Sequence, residues 1–540
     1  MSASPRPLKS SAATWIAAAL VALPFLQALA FDFDRCGALV LLLPAIWAGR
    51  VELAQAIARL QAGPVWLKIL PGLAGFAVLL SVAVSRQFAP GLVTAASWVL
   101  LAAAGLIAGQ CMANDAAAGR RMLAGLALGT AAGTLTVWAL WILSGRNGVP
   151  LYPHPRILGL HTLAGAVASV ALITQKDVHR AGRGFWLAAG ILTWGGLLWS
   201  GGRAPVLALA VALGLWMLLS PTPLRRALLR TSVTLLLAGL ALSFAVSTPN
   251  WSSHPDLGWW HAIGRTATAA TTGSASQLSS TRTEFWSDVV SRARATPWLG
   301  HGPDSYRFLT PKLDGQQPHN LVLQLWLDLG AVGAVPLLVL LAGLFVFGWR
   351  RAVVAAPVIP PAWLAVLTAS LVAGLLDGVF YHLLAFLPAM LALGVAVGLV
   401  SHLAPPARIS HTPRVVIGIA TAVLLLHMGV FYVLAVGAVP APTDWRATGV
   451  RIFPSSTFGL WRWLDDWQSG HASDVLDWTR WAQEHSPNPI FFHVYAARVL
   501  AAQGDGQGAE KELRAALAKA HWSMRPSIEL MLRQLPSATP

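Results

Sequence analysis

Residues 281–333 read TRTEFWSDVVSRARATPWLGHGPDSYRFLTPKLDGQQPHNLVLQLWLDLGAVG, and the run changes character at one point. Up to Asn320 it is polar and charged; from Leu321 it turns strongly apolar and stays so well beyond Gly333. That second part sets the fold class, because about 20 successive apolar residues are what a helix needs to cross a bilayer. The junction Pro318-His319-Asn320 is then expected in the first turn of a membrane helix, at the water boundary. Helix N-termini present free N–H groups and partial positive charge, which suit an anionic ligand. An imidazole placed there can move a proton near neutral pH.

Outward from this stretch, comparable apolar runs recur along the chain. Of 540 residues, 56% are hydrophobic and 11% charged, against about 25% charged in a soluble domain. A β-barrel would instead show alternating segments of about ten residues. The fold class is therefore an all-α polytopic membrane protein. The formal charge of +16 would suggest nucleic acid in a soluble chain. Here much of it falls in short loops, where it orients helices, so no nucleic-acid partner is expected. Cys36 and Cys111 are expected on opposite sides of the membrane, with no disulfide framework. No metal-ligand spacing is visible, and a metal-independent protein without cofactors is expected.

Spans are expected near 14–31, 36–48, 66–84, 91–109, 122–143, 157–174, 185–200, 204–220, 229–247, 321–348, 362–380, 383–401 and 414–438, about 13 in all. The first follows a basic segment with Arg6 and Lys9. It ends in Ala28-Leu29-Ala30, which looks like a signal-peptidase site; an uncleaved anchor is the preferred reading. With a cytoplasmic N-terminus, the even-numbered loops carry Arg50 and Arg59, Arg120 and Arg121, Lys176, Arg180 and Arg183, Arg225, Arg226 and Arg230, Arg350 and Arg351, and Arg408 and Arg414. That agrees with the positive-inside rule. The same parity puts the loop 248–320, between the ninth and tenth spans, and the tail 439–540 outside the cytoplasm. The chain thus divides into a membrane domain, 1–438, and a helical C-terminal domain, 439–540.

The loop opens with Trp251, His254, Trp259, Trp260 and His261, which suit an interfacial aromatic belt, and continues through a Ser/Thr/Ala segment, 266–281. The tail carries Trp461, Trp463, Trp467, Trp478 and Trp481 at helical spacings. Residues 487–520 read as helix, Gly-Asp-Gly turn, helix, resembling a tetratricopeptide hairpin. That tail is a candidate surface for a protein partner.

Several basic residues fall on the outer side, against the charge rule: Arg156 at the mouth of the sixth span, Arg203 in the turn Ser200-Gly201-Gly202-Arg203, and Arg282 and His319 in the large loop. A guanidinium is a planar fork of donors that matches phosphate oxygens and stays charged when partly desolvated. The set suits a diphosphate on a lipid carrier; taken singly, each Arg also suits snorkelling or headgroup contact. Asn320 offers an amide to orient a substrate, and the Gly300-His301-Gly302 turn permits close backbone approach. Asp377 and His382, in DGVFYH, flank the outer end of the eleventh span as a functional pair or as a pair closing the turn. For Asp304, Tyr306 and Asp328, structural roles are expected.

On these residues the chain resembles the superfamily of O-antigen ligases and Wzy-type O-antigen polymerases. Residues 281–333 resemble its signature region: Arg282 and Trp286 as an Arg-x-x-x-Trp start, the Gly300/Gly302 turn, His319-Asn320, then Leu329, Gly330 and Gly333. RILGLHTLAG at 156–165 resembles the family's Arg-led segment, with His161-Thr162 where an Asn is usual. SGGRAP at 200–205 resembles its Ser-x-x-Arg turn. The resemblance implies a GT-C-like membrane glycosyltransferase of the bacterial inner membrane. Such an enzyme takes a glycan from undecaprenyl diphosphate on the periplasmic side and passes it to a hydroxyl acceptor, with no nucleotide sugar or metal. It further implies Arg156, Arg203 and Arg282 on the diphosphate and His319 in catalysis. The acceptor is lipid A core (ligase), another glycan chain (polymerase) or a protein hydroxyl, with the ligase slightly ahead. A lipid-linked glycan transporter is the competing class; it would carry mid-span charges, broken helices and internal repeats. A membrane scaffold that docks partners through the tail is a further one.

Overall fold

The computed structural model describes residues 11–27, 33–144, 155–175, 179–247, 282–309, 317–355, 358–401, 412–429, 489–520 and 525–535, with short pieces at 263–264, 267–268, 271, 476–477, 479–480 and 483–484. The aromatic start of the large loop, nearly all of 266–281, the Ala28-Leu29-Ala30 motif and most of the Trp-rich tail segment lie outside the described residues. So does the 438/439 boundary.

Among the described residues there are helices and no strands. They are α1 (Ser11–Gln27), α2 (Phe33–Ala48), α3 (Arg50–Ala62), α4 (Val65–Val84), α5 (Phe88–Asn114), α6 (Ala116–Ser144), α7 (Pro155–Thr174), α8 (Arg180–Trp199), α9 (Arg203–Leu219) and α10 (Thr222–Ser247). There follow α11 (Arg282–Ala295), a short 3-10 turn (Ser305–Phe308), α12 (Leu321–Ala355), α13 (Ile359–Gly374), α14 (Leu383–Ser401), α15 (Thr412–Gly429), α16 (Pro489–Ala502), α17 (Gly506–Lys519) and α18 (Arg525–Gln534).

Among the described residues, each apolar span expected from sequence overlaps a helix. Seven of these are long and apolar enough to cross a membrane by length and composition, or eight if the pair bent by 74° between Ala48 and Arg50 is one span. The chain is a multi-pass membrane protein. Three details differ from the sequence reading. Residues 50–62, read as loop, form α3, whose Arg50, Glu52 and Arg59 dilute its apolar face. The eleventh span stops at Gly374, so Asp377 sits in a turn. The tenth continues to Ala355 but breaks at Gly330, whose φ of 62° and ψ of −174° lie outside helical space.

The bundle is built around α7, buried from Ile157 to Ile173. α6, α8, α9, α13 and α14 pack against it. On the far side, α5 and α14 meet backbone to backbone where Gly105 and Gly109 face Gly394, the small-residue contact that lets membrane helices approach closely. The perimeter is apolar: Leu73, Phe76 and Leu79 of α4 and Leu229, Leu237 and Phe244 of α10 are exposed. Faces of this kind belong against lipid. At the end of α9, Arg225 donates to the carbonyls of Met217, Leu218 and Ser220, and so caps carbonyls that the helix leaves open.

In the tail, α16 and α17 form the expected helical hairpin and α18 packs on α17. Their shared core holds Ile490, Ala497, Ala509, Leu513, Ala516 and Ile528. Asp505 caps α17 by accepting from the Gly508 N–H.

Candidate functional site

The chain ends facing the site come together through small residues. Gly159, one turn into α7, packs directly against the Ser200 side chain and Pro205. This contact sets the start of α7, with Arg156, beside the start of α9, with Arg203. Gly201 makes the tight turn between α8 and α9 with φ 65°, and Ser200 Oγ accepts from the Gly202 N–H. Two helix N-termini therefore open toward the same space, each with an arginine in its first turn.

A third N-terminus, that of α12, is brought in from the other side. Asn320 caps it: its Oδ1 accepts from the Leu323 N–H at 3.0 Å. Its Nδ2 donates to the Leu375 carbonyl at 3.0 Å, tying α12 to the turn after α13. Asn320 is thus a cap and a tie between elements, and its second Nδ2–H remains for the substrate-orienting role that the sequence suggested. Pro318 does not start the helix. It is buried in the segment before it, and His319 precedes the cap with φ 52°. A left-handed His costs on the order of 1–3 kcal/mol, and such strain collects at functional sites.

His319 is held on one side by Asp377. The ring Nδ1 lies 2.9 Å from Asp377 Oδ1, and the other carboxylate oxygen lies 3.6 Å from Arg282 Nη2. The carboxylate is 5% exposed and also accepts from the Gly378 N–H. Phe285, one turn into α11, meets the imidazole edge-on at 6.0 Å. Among the described residues nothing hydrogen-bonds His319 Nε2, and the side chain is 18% exposed. Asp377 therefore fixes the tautomer with the proton on Nδ1 and leaves Nε2 as an open acceptor.

The electrostatics bind the set together. Burial opposes the charge on Asp377, but the His319 hydrogen bond and the charges of His319, Arg282 and Arg156 prevail, holding its carboxyl well below the usual carboxylate range. Burial also pulls Arg282 down; Asp377 pushes it back up, and Arg156 and Arg203 act with burial. The three arginines, separate in sequence, thus sense one another across a single buried carboxylate. Arg282 and Arg156 act on Asp377, and Arg203 acts on Arg282; three guanidiniums near one carboxylate leave an excess of positive charge suited to a multiply charged anion.

The remaining expected residues sort clearly. His382 is not the partner of Asp377: Gln317 Nε2 donates to His382 Nε2 at 3.3 Å, while Asp377 turns to His319. His161 lies in mid-α7 without exposed surface, so substrate does not reach it in this conformation. Gly300 and Gly302 do permit close backbone approach, but to the chain itself. The His301 and Gly302 N–H groups donate to the Leu327 and Asp328 carbonyls at 2.8 and 3.0 Å. A Cβ on Gly300 would lie 2.5 Å from Asp328 backbone atoms, and one on Gly330 would strike the Trp298 backbone. Ser81 of α4 and Ser85, just past its end, then donate to the Asp328 and His301 carbonyls at 2.6 and 2.7 Å. This clasp fixes the break in α12. Tyr306 is structural as expected, donating to Asp288 at 3.3 Å, and the buried Asp328 accepts from Ser305 at 3.4 Å. Among the described residues no cluster of three His, Cys, Asp or Glu has the arrangement of a metal site.

Residues 188–338 match the family model described as O-Antigen ligase. The match includes Arg203, Arg282, His319 and the Gly330 break; Arg156, Asp377 and the tail fall outside it. No curated protein matches the chain.

Proposed function

We propose that this chain, whose residues 188–338 match the O-antigen ligase family model, transfers a glycan from undecaprenyl diphosphate to a hydroxyl acceptor at the periplasmic face of a bacterial inner membrane. The 13-span topology, with the site and the tail on the periplasmic side, is part of the same proposal. The observation that carries it is the chain Arg282–Asp377–His319, with the Arg156 and Arg203 helix starts held together by Gly159 against Ser200 and Pro205.

In this reading the arginines hold the diphosphate. The His319 Nε2 takes the proton of the acceptor hydroxyl as its oxygen bonds to the anomeric carbon. The bond from that carbon to the diphosphate breaks, and the lipid diphosphate departs with the electron pair. Guanidinium charge grows more effective as negative charge builds on the leaving group. The arginines fill the role a divalent cation would take, so the proposal asks for no metal and no other cofactor. Asp377 orients the imidazole and stabilises its protonated form, as the acid of a catalytic triad does. The favoured acceptor is lipid A core, with a second glycan chain next and a protein hydroxyl third.

The test is the surface glycan profile of a His319→Ala strain with protein level matched to wild type. Long chains stranded on the lipid carrier with bare core mean a ligase. Core bearing a single repeat, or loss of a free polymer, means a polymerase. A changed glycoprotein alone means a protein acceptor. A profile identical to wild type refutes the catalytic role.

A further inference from the structure

The segment before α12 is tied to the turn between α13 and α14 at three places. Two belong to the site described above, His319 on Asp377 and Asn320 on the Leu375 carbonyl. The third is Gln317, which the mechanism leaves unused. It is buried, and its Nε2 donates to His382 Nε2 at 3.3 Å. A side chain at Gly378 would overlap the whole Gln317 amide, so the amide lies flat on the Gly378 backbone. The Gly378 N–H donates to Asp377 Oδ1 at 2.8 Å, the same oxygen that faces His319 Nδ1. Gln317 thus packs on the residue that steers the carboxylate.

The other end of this contact is fixed independently. The His382 carbonyl accepts from the Ala385 and Phe386 N–H groups at 2.9 and 2.8 Å, which seats His382 at the start of α14. Gly378, by contrast, has the backbone freedom of glycine. Turned away, its N–H would release the carboxylate, and the Gln317 amide blocks that rotation. His319 itself stands between two ties, Gln317 and Asn320, with φ 52°, a conformation that persists where its surroundings over-determine it. Among the described residues Gln317 Oε1 is buried without a hydrogen-bond partner. An amide kept in place with its oxygen unsatisfied calls for a reason other than stability.

We propose that Gln317 and His382 are positioning residues. His382 holds the Gln317 amide against Gly378, and that contact keeps the Asp377 carboxylate turned to His319 Nδ1. Their effect on turnover rests on the transfer reaction proposed above; their effect on the imidazole does not.

Turnover of lipid-linked donor is measured for full-length Gln317→Ala, His382→Ala and His382→Gln in nanodiscs, with thermal unfolding matched to wild type. A shift of about 1 Å at a reacting group costs on the order of 10²-fold, so each Ala variant should lose about ten- to hundred-fold in kcat, with donor KM within about two-fold. His382→Gln offers an amide oxygen in place of Nε2 and should recover to within about three-fold of wild type. In Asp377→Asn protein, Gln317→Ala should cost less than about two-fold further, because the group it positions is gone. Equal losses in the two backgrounds, or an unchanged kcat, overturn the proposal. Where Gln317→Ala fails to fold, Gln317→Met, which keeps the volume on Gly378 and loses the donor, is judged by the same outcomes.

A second readout needs no turnover. Histidine-selective 15N NMR reads the tautomer of His319, with its signals assigned by their absence from His319→Gln. The wild type should carry the proton on Nδ1, and Gln317→Ala and His382→Ala should share it between Nδ1 and Nε2. A His319 tautomer unchanged in both variants overturns the proposal, whatever the protein transfers. A redistributed tautomer in a protein that transfers no glycan keeps the positioning role and refutes the reaction alone.

Discussion

Two histidines in this molecule each pair with a carboxylate and a cation, and the order of the three groups differs. In the tail, His493 Nδ1 lies 2.6 Å from Glu512, and Lys519 Nζ donates to Nε2 at 2.8 Å. Gln483 adds a further hydrogen bond to the same carboxylate at 3.0 Å. Both ring nitrogens are therefore consumed, and the imidazole is a cross-brace between α16 and α17. At the membrane site the cation stands behind the carboxylate instead, with Arg282 on Asp377 and Asp377 on His319. The same three kinds of group leave Nε2 open in one place and closed in the other. A histidine's chemistry is thus decided by which nitrogen its neighbours leave uncovered.

The widest gap between the two sites is expected on removing the rings. His319→Ala should lower glycan transfer by about 10²–10⁴, the range of a general base, measured as turnover of lipid-linked donor by purified protein. His493→Gln should stay within about two-fold in the same assay. A comparable loss from both would erase the distinction and make the tail part of the reaction.

The carboxylates sharpen the comparison. Asp377→Asn presents an amide that can donate to Nδ1, turning the protonated nitrogen toward the acceptor. Turnover should fall about 10²–10³-fold at unchanged protein level, somewhat less than the wrong-tautomer loss in a serine protease. Glu512→Gln should change turnover by less than about two-fold and instead loosen α16 against α17, read as faster amide exchange there. The cation comes next: Arg282→Lys keeps the charge and loses the fork, so donor KM should rise about ten-fold with kcat little altered.

The smallest effects are on stability against pH. Burial pushes the His493 pKa down, the Glu512 hydrogen bond opposes this, and Lys519 adds to burial. The fold thus favours the neutral ring, and its contribution is full above about pH 6.5 and lost as pH falls below it. Amide protection in α16–α18, corrected for the intrinsic exchange rate at each pH, should fall between pH 8 and pH 5 and flatten in His493→Gln. Asp377 is held low, so its contribution should persist until the pH falls below about 4. Thermal unfolding of wild type and Asp377→Asn should differ by a constant amount above that pH and converge below it.

The fold was largely legible because apolar runs signal membrane helices without reference to tertiary contacts. α3 escaped because Arg50, Glu52 and Arg59 break its apolar pattern. At the site, the arginines stood out because the expected topology sets them against the charge rule. Their convergence depends on Gly159 meeting Ser200 and Pro205, a contact between α7 and the α8–α9 turn that no local pattern encodes. Asp377 was visible as a charge, yet its partner was read as the nearby His382. The true partner, His319, lies 58 residues away in sequence, and only the folded turn after α13 reveals it. The Gly300/Gly302 turn was read for its backbone freedom. Whether that freedom serves a ligand or the chain's own clasp depends on where Gly330 lies.

That clasp also acts as a ruler. The upper part of α12 is fixed at its lower end by Gly330 against the Trp298 backbone and at its upper end by Asn320 on Leu375. One residue inserted between them would rotate the two ends relative to each other by about 100° and separate them by about 1.5 Å. Either His319 would leave Asp377 or Gly330 would leave its seat. Of residues 321–330 only Val322 is exposed, so substitution is freest there, while the number of residues between histidine and glycine cannot change. A working variant of this region has to preserve length as strictly as composition.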